Sequence, residues 1–255
     1  MSLQKDNKIQ HMLQSWPEGT VATAAWLAHL GISRQLRNKY LQSGWITSVS
    51  HSAYQKKGDS VGWQGALYAL QAQMQSPVHV GALTALTMQG MAHYVRMGGA
   101  TVFLFAPAKT LLPAWFKKHD WGEAMHYIAT SVFPVELGLV KHDGKTFSIR
   151  ISGLERAFLE CLHLAPNTMD LMECYHIMEG LTTLRPKLLQ QLLEQCTSIK
   201  VKRLFLYMAT KAGHDWVRRL DHSKLELGRG SRTIAKGGVY VAEFGITVPE
   251  ELEKR

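Results

Sequence analysis

Several groups of side chains in this sequence have the types and spacing to do chemistry. Cys161-Leu162-His163 and Cys174-Tyr175-His176 together hold four metal-ligand side chains. On a helix, residues two apart project about 200° from one another, so neither pair can share one ion without local unwinding. Cys161 also completes an apolar stripe. His214-Asp215 and Asp221-His222 are of the types that bind a divalent ion and activate water, but no further ligands follow at a recognisable spacing. A helix ending near Gly213 explains His214 more simply, as a cation beside free carbonyls. Gly228-Arg229-Gly230-Ser231-Arg232 is glycine-rich, yet lacks the lysine and hydroxyl order of a phosphate loop. It reads as a turn, or as a basic loop that meets RNA or an acidic partner. No catalytic residue, metal or cofactor is expected from these patterns.

A further group is suited to duplex DNA. Arg34, Arg37 and Asn38 stand on one short segment whose apolar residues Ile32, Leu36 and Tyr40 fall within about 80° of each other at helical spacing. With that stripe packed inward, Arg34 and Asn38 point away from the core and Arg37 flanks them. In a major groove Arg can bond guanine O6 and N7, and Asn can bond adenine N6 and N7. Lys39 lies nearer the packed side and suits a phosphate. Gln35, Lys56 and Lys57 complete the candidate contacts.

These residues need elements to position them. Residues 5–14 form a first helix with Ile9, Met12 and Leu13 on one face, broken at Trp16-Pro17-Glu18-Gly19. Residues 21–30 form a second helix, ended by Gly31. Ser33 caps a third that runs to Ser43, and Gly44 closes it. Residues 45–49 and 53–55 have the β-rich character of a hairpin, the wing of a helix-turn-helix. Residues 56–60, Lys-Lys-Gly-Asp-Ser, read as a linker.

Beyond the linker the signals mix. Residues 62–74 and 79–90 look helical, and 101–105 look like a buried strand. Segments 125–131, 137–141 and 145–151 suggest strands. Ser152 and Glu155 have the spacing of a capping box before the helix that carries Leu154, Ala157, Phe158 and Cys161. Three more helices follow near 169–180, 186–196 and 200–212, with strand character in 238–248. On the helix near 200–212, Lys200, Lys202, Arg203 and Lys211 would line an outer face around a Val201, Leu204, Phe205, Met208 core stripe. With Arg218, Arg219, Arg229 and Arg232, that face is a candidate second basic surface. The expected fold is α+β: an N-terminal winged helix-turn-helix over 1–58, then a larger mixed α/β domain over 62–255.

Composition bounds these readings. Of 255 residues, 29 are Lys or Arg and 20 Asp or Glu, a formal charge of +9, with 46% hydrophobic and 19% charged residues. That excludes a disordered tail, a collagen-like chain and a disulfide scaffold. The charge favours anionic partners, nucleic acid above all. It is concentrated at the start: residues 1–60 carry a net +4, the other 195 a net +5. No apolar run of about 18 residues spans a bilayer. The opening MSLQKDNKIQ has no apolar leader. With three widely spaced cysteines, the expectation is a cytoplasmic protein with reduced thiols and no membrane partner.

Two blocks of sequence are less anonymous. Trp26-Leu27, Gly31-Ile32-Ser33, Leu36-Arg37-Asn38-Lys39-Tyr40-Leu41 and Gly44-Trp45-Ile46 resemble the winged helix-turn-helix of AbiEi-type antitoxins of bacterial type IV toxin–antitoxin systems. Residues 201–209, Lys211-Ala212-Gly213-His214, Arg219-Leu220-Asp221, Leu227-Gly228 and Ile246-Thr247-Val248-Pro249 resemble the same family's C-terminal domain. The pieces around Val80-Gly81, Ala85-Leu86 and Leu154-Glu155-Arg156-Ala157 fit between them in colinear order. The resemblance implies an antitoxin and autorepressor whose N-terminal unit binds double-stranded DNA at repeats in its own operon promoter. It implies a C-terminal domain that counters a nucleotidyltransferase toxin, direct contact being left open. It carries over no catalytic residue. Two other readings remain at this point: an RNA- or nucleotide-processing enzyme using residues 200–232, and a protein-interaction module that binds no DNA.

Overall fold

The computed structural model describes residues 3–91 and 101–254. The chain forms two compact units. One holds the described residues of 1–79, 109–125 and 141–150, the other those of 80–108, 126–140 and 151–255.

The first unit begins with α1 (Leu3–Ser15), whose Met12 packs with Trp16 in a core completed by Leu27, Ile32, Tyr40, Ile46 and Tyr54. The second expected helix starts later than its apolar pattern suggests. Ala22–Thr23 form a short strand, β1, and Thr23 then caps α2 (Ala24–His29), its hydroxyl accepting the Trp26 N–H at 3.2 Å. After α3 (Arg34–Gln42) come β2 (Ile46–Ser50) and β3 (Ala53–Lys56). β3 is central in an antiparallel sheet of order β1-β3-β2, with Tyr54 opposite both Ala22 and Ser48. Helix, turn, helix and three-stranded sheet make a winged helix-turn-helix.

The compact unit containing this module also takes in residues up to 79, 109–125 and 141–150. The segment expected to be helical over 62–74 is so: α4 (Trp63–Tyr68) continues into a wide π-turn over Ala69–Gln73. Gly65 is glycine because a Cβ there would lie 1.9 Å from the Gly19 carbonyl oxygen. The π-turn aims two amides at strand backbone. Gln73 accepts the Thr23 N–H at 2.8 Å and donates to the Val21 carbonyl at 2.7 Å, closing the open side of β1. Gln71 accepts the Arg150 N–H at 2.8 Å and donates to the Val78 and Arg150 carbonyls. Gln73→Ala leaves Val21 and Thr23, both buried, without these partners. The expected loss is about 2–3 kcal/mol in urea unfolding, and a change below about 0.5 kcal/mol would mean water replaces the amide.

A five-stranded sheet has the order β6-β5-β4-β8-β7, from β4 (His79–Val80), β5 (Thr101–Pro107), β6 (Ala124–Thr130), β7 (Leu139–Asp143) and β8 (Ser148–Ser152). Residues 79–90 are thus a strand followed by α5 (Ala82–Met88), where a single helix was expected. α6 (Ala114–Lys118) follows β5. In the second unit, α7 (Leu154–Leu164) packs on α5, α8 (Leu171–Gly180), α9 (Pro186–Gln195) and α10 (Ile199–Ala212). Surrounded on all sides, α7 buries even Glu155, Arg156 and Glu160, which must therefore be paired. The capping box does not form. Gly153 is the cap, Ser152 instead donates to Glu160 Oε2 at 2.8 Å, and Glu155 accepts three hydrogen bonds from Arg185. The Ser152 hydroxyl is turned to the buried carboxylate of Glu160, which it serves as donor, and makes no capping bond to the helix. The unit ends in a small sheet of order β10-β11-β9, from β9 (Arg232–Thr233), β10 (Val239–Val241) and β11 (Ile246–Val248), and in α11 (Glu250–Lys254).

Candidate nucleic-acid interface

The turn into α3 is built from three local devices. Gly31 takes φ +76°, a left-handed conformation that a side chain disfavours, and so reverses the chain after α2. Ile32 drops into the core, its N–H bonded to the Leu27 carbonyl at 2.9 Å. Ser33 has extended backbone and accepts the Leu36 N–H at 3.3 Å, which caps α3. The helix closes in a Schellman motif. Gly44 lies at φ +71°, its N–H bonds the Leu41 carbonyl, and the Trp45 N–H bonds the Tyr40 carbonyl. Both ends of α3 are thereby fixed, which sets the direction of its outer face.

That outer face carries Arg34, Gln35, Asn38 and Lys39, all exposed, at the spacing of one helical stripe. Lys39 is fully on it, where the packed side was expected. Leu36 and Tyr40 point inward against Ile46 and Tyr54. No acidic residue occurs in α3 or in the hairpin that follows. Arg34 sits at the first helical position, where the dipole disfavours a cation, so the helix gains nothing for its own stability from that charge. Two exposed residues join the stripe that the sequence reading omitted. Gln42 follows Asn38 by one turn, and Trp45, 50% exposed, follows the closing glycine. The four-residue spacing would have found Gln42; nothing local distinguishes Trp45 from a strand residue facing the core.

Arg37, Lys56 and Lys57 are arranged differently. Arg37 is half-buried with its guanidinium carbon 5.2 Å from the Tyr54 ring centroid, and its Nε is buried without a hydrogen-bond partner. Lys56 turns back to donate to the Leu13 carbonyl near the end of α1 at 3.2 Å, so its charge serves that helix terminus. Lys57 is exposed beside Gly44.

The candidate second basic surface does not form as an outer face of α10. Lys202 and Arg203 are buried, at 2% and 6% exposure. Arg203 donates to the carbonyls of Leu227, Gly228, Gly230 and Gly245 at 2.6–3.1 Å, because the 227–230 loop and the turn before β11 direct their carbonyls inward and only a guanidinium can serve four of them. Lys200 donates to the His163 and Ala165 carbonyls, and burial pushes its pKa down. Lys211 donates to the Glu253 carbonyl at 2.9 Å. Arg218, Arg219, Arg229 and Arg232 are exposed.

The metal-like pairs have structural surroundings too. Cys161, Cys174 and Cys196 are buried free thiols, and burial pushes Cys161 well up and Cys174 up to about 12, which disfavours the thiolate a metal needs. Among the described residues, no three His, Cys, Asp or Glu side chains cluster as metal ligands would. His214 stacks on Trp216 and donates through Nε2 to the Met178 carbonyl at the end of α8, not at the end of α10 where it was expected. Asp221 accepts from the Ser223 N–H and hydroxyl and pairs with Lys224 at 3.2 Å. No helix among the described residues is long and apolar enough to cross a membrane.

Comparison with known proteins gives two family matches in series. Residues 5–97 match a model described as a transcriptional regulator, AbiEi antitoxin N-terminal domain. Residues 99–249 match one described as a transcriptional regulator, AbiEi antitoxin, of a type IV toxin–antitoxin system. No curated protein matches the sequence. The fold is similar to the crystal structure of the RV2827C protein from Mycobacterium tuberculosis, with a TM-score of 0.59 at 13% identity over 93% of this chain and 88% of that one.

Proposed function

Since the chain belongs to the AbiEi antitoxins, transcriptional regulators of type IV toxin–antitoxin systems, we propose that it represses its own operon by reading promoter repeats with α3. The observation that carries this is the stripe of exposed Arg34, Gln35 and Asn38 on a helix capped at both ends, with no acidic residue beside it. Arg34 and Asn38 reach base edges, Gln35 adds a third polar contact, and Lys39 and Lys57 hold phosphates. The remainder of the chain, 62–255 in the division proposed from sequence, counters a nucleotidyltransferase toxin. The match over 99–249 supports that assignment. Direct capture of the toxin is not required by it.

One strain tests both halves. It carries the toxin gene and a reporter driven by the promoter of this chain's operon. Arg34→Ala and Asn38→Ala each cost about 1–3 kcal/mol of promoter affinity, confined to one base position, and release the reporter. Growth in the presence of the toxin persists, because the antitoxin region is intact. Lys57→Ala weakens binding to all duplexes alike and flattens the salt dependence. A triple change of Arg34, Gln35 and Asn38 to alanine that leaves promoter affinity at its starting value refutes α3 as the reading helix. Loss of protection in the same variants refutes the division of labour.

A further inference from the structure

The geometry points to a role for Arg37 distinct from reading: it positions the wing against α3 through the face of Tyr54. This rests on the assignment of α3 as the reading helix and deepens it.

Three observations converge. First, Arg37 leaves the α3 stripe that Arg34, Gln35 and Asn38 share. It is half-buried where they are exposed. Second, its guanidinium carbon stands 5.2 Å from the centroid of the Tyr54 ring, within the range of a cation–π contact. Its Nε is buried with no hydrogen-bond partner, so the ring face is what offsets the desolvation there. Third, Tyr54 is on the central strand of the wing sheet, paired on one side with Ala22 of β1 and on the other with Ser48 of β2. A contact to that strand addresses the whole sheet.

The consequence is geometric. α3 and the hairpin are joined by Ser43-Gly44-Trp45, a short connection with one left-handed residue, which sets where the wing starts, and Leu36 and Tyr40 pack on its buried face. A second tether, set back from the hairpin tip, fixes the tilt. Arg37→Tyr54 is such a tether, between the middle of α3 and the middle strand. Loosening it misplaces the hairpin tip, residues 50–52, relative to the base-reading stripe, so contacts made together in one register are no longer available together, while Lys57 stays at the root of the wing through its N–H bond to the Trp45 carbonyl at 3.1 Å. A lysine cannot replace the arginine here, because its compact ammonium lacks the planar face that stacks on a ring.

Titration of the full-length chain with the duplex upstream of its own gene, and with a scrambled duplex of equal composition, tests this. The variants are Arg37→Gln, Arg37→Lys, Tyr54→Leu, Tyr54→Phe and the Arg37→Gln/Tyr54→Leu double. Stoichiometric titration corrects each for its binding-competent fraction. Arg37→Gln, Arg37→Lys and Tyr54→Leu each lower the ratio of promoter to scrambled affinity by about tenfold, the upper part of what such a contact supplies. The double variant is no worse than either single one, and Tyr54→Phe keeps the full ratio. The slope of log K against log salt stays at its wild-type value in Arg37→Gln. A slope reduced by about 0.9 makes Arg37 a direct phosphate contact and overturns the inference. So does a loss confined to one base position, or additive losses in the double variant, or a loss seen only in the competent fraction. A wild-type chain that does not prefer its promoter overturns this inference together with the reading it rests on. Normal preference with an unaffected Arg37→Gln overturns this one alone.

Discussion

Replacing Arg156 with leucine is expected to remove about 3–5 kcal/mol of folding stability, because it strands the carboxylate of Glu160 in the interior. Glu160 has no exposed surface. Its Oε1 accepts from Arg156 Nε at 2.9 Å, while Oε2 accepts the Ala82 N–H at 3.0 Å and the Ser152 hydroxyl at 2.8 Å. Arg156 NH1 also donates to the carbonyls of Pro134 and Leu137 at 2.7 and 2.8 Å. One side chain thus satisfies an anion and the carbonyls of the segment that enters β7. The single substitution removes both functions while the anion stays. Arg156→Leu/Glu160→Gln removes the stranded charge as well, so the double variant is more stable than the single one. Urea unfolding reports both, with the m-value showing that the denatured state is unchanged. If the double variant proves less stable than Arg156→Leu alone, the charge is not what makes the single loss large.

The second large effect is expected at Arg203, where methionine in its place costs at least about 3 kcal/mol. The change deletes four charge-assisted hydrogen bonds to carbonyls of residues 227, 228, 230 and 245. Arg203→Lys recovers little, since an ammonium cannot reach four acceptors from one planar fork. The damage is local as well as global, and limited proteolysis is the second readout. The loop from 227 to 232 becomes a cleavage site in Arg203→Met under conditions where the wild-type loop is intact. A variant that unfolds at the wild-type urea midpoint would show that Arg203 is held by the loop and does not hold it.

Where the sequence was legible, the determinants were local. Gly31, Ser33 and Gly44 punctuate α3 closely in sequence, so the helix and its exposed face follow from spacing alone. The strand β5 was legible for the same reason: an apolar run with a buried face needs no partner to be recognised. Failure began where the deciding group lay far along the chain. Ala22 and Thr23 look helical until β3 and the amide of Gln73, 50 residues away, offer strand partners. Ser152 looks like a cap until Glu160, eight residues on, claims its hydroxyl as a donor. Arg203 looks like part of a solvated face because spacing cannot reveal that a loop 24 residues later turns its carbonyls towards it. Arg37 was misjudged more narrowly. Its angle on the helix was right, but the ring that draws it aside belongs to the next hairpin.

The unit that bears α3 draws on three separate stretches of chain, the last ending at Arg150, whose backbone Gln71 grips on both its N–H and its carbonyl. On the ribosome, therefore, the first sixty residues emerge long before their surroundings are complete. A nascent or prematurely terminated chain ending before residue 150 carries α3 without the last stretch of its unit. Completion of that unit therefore comes late in synthesis, when more than half of the polypeptide has already been made.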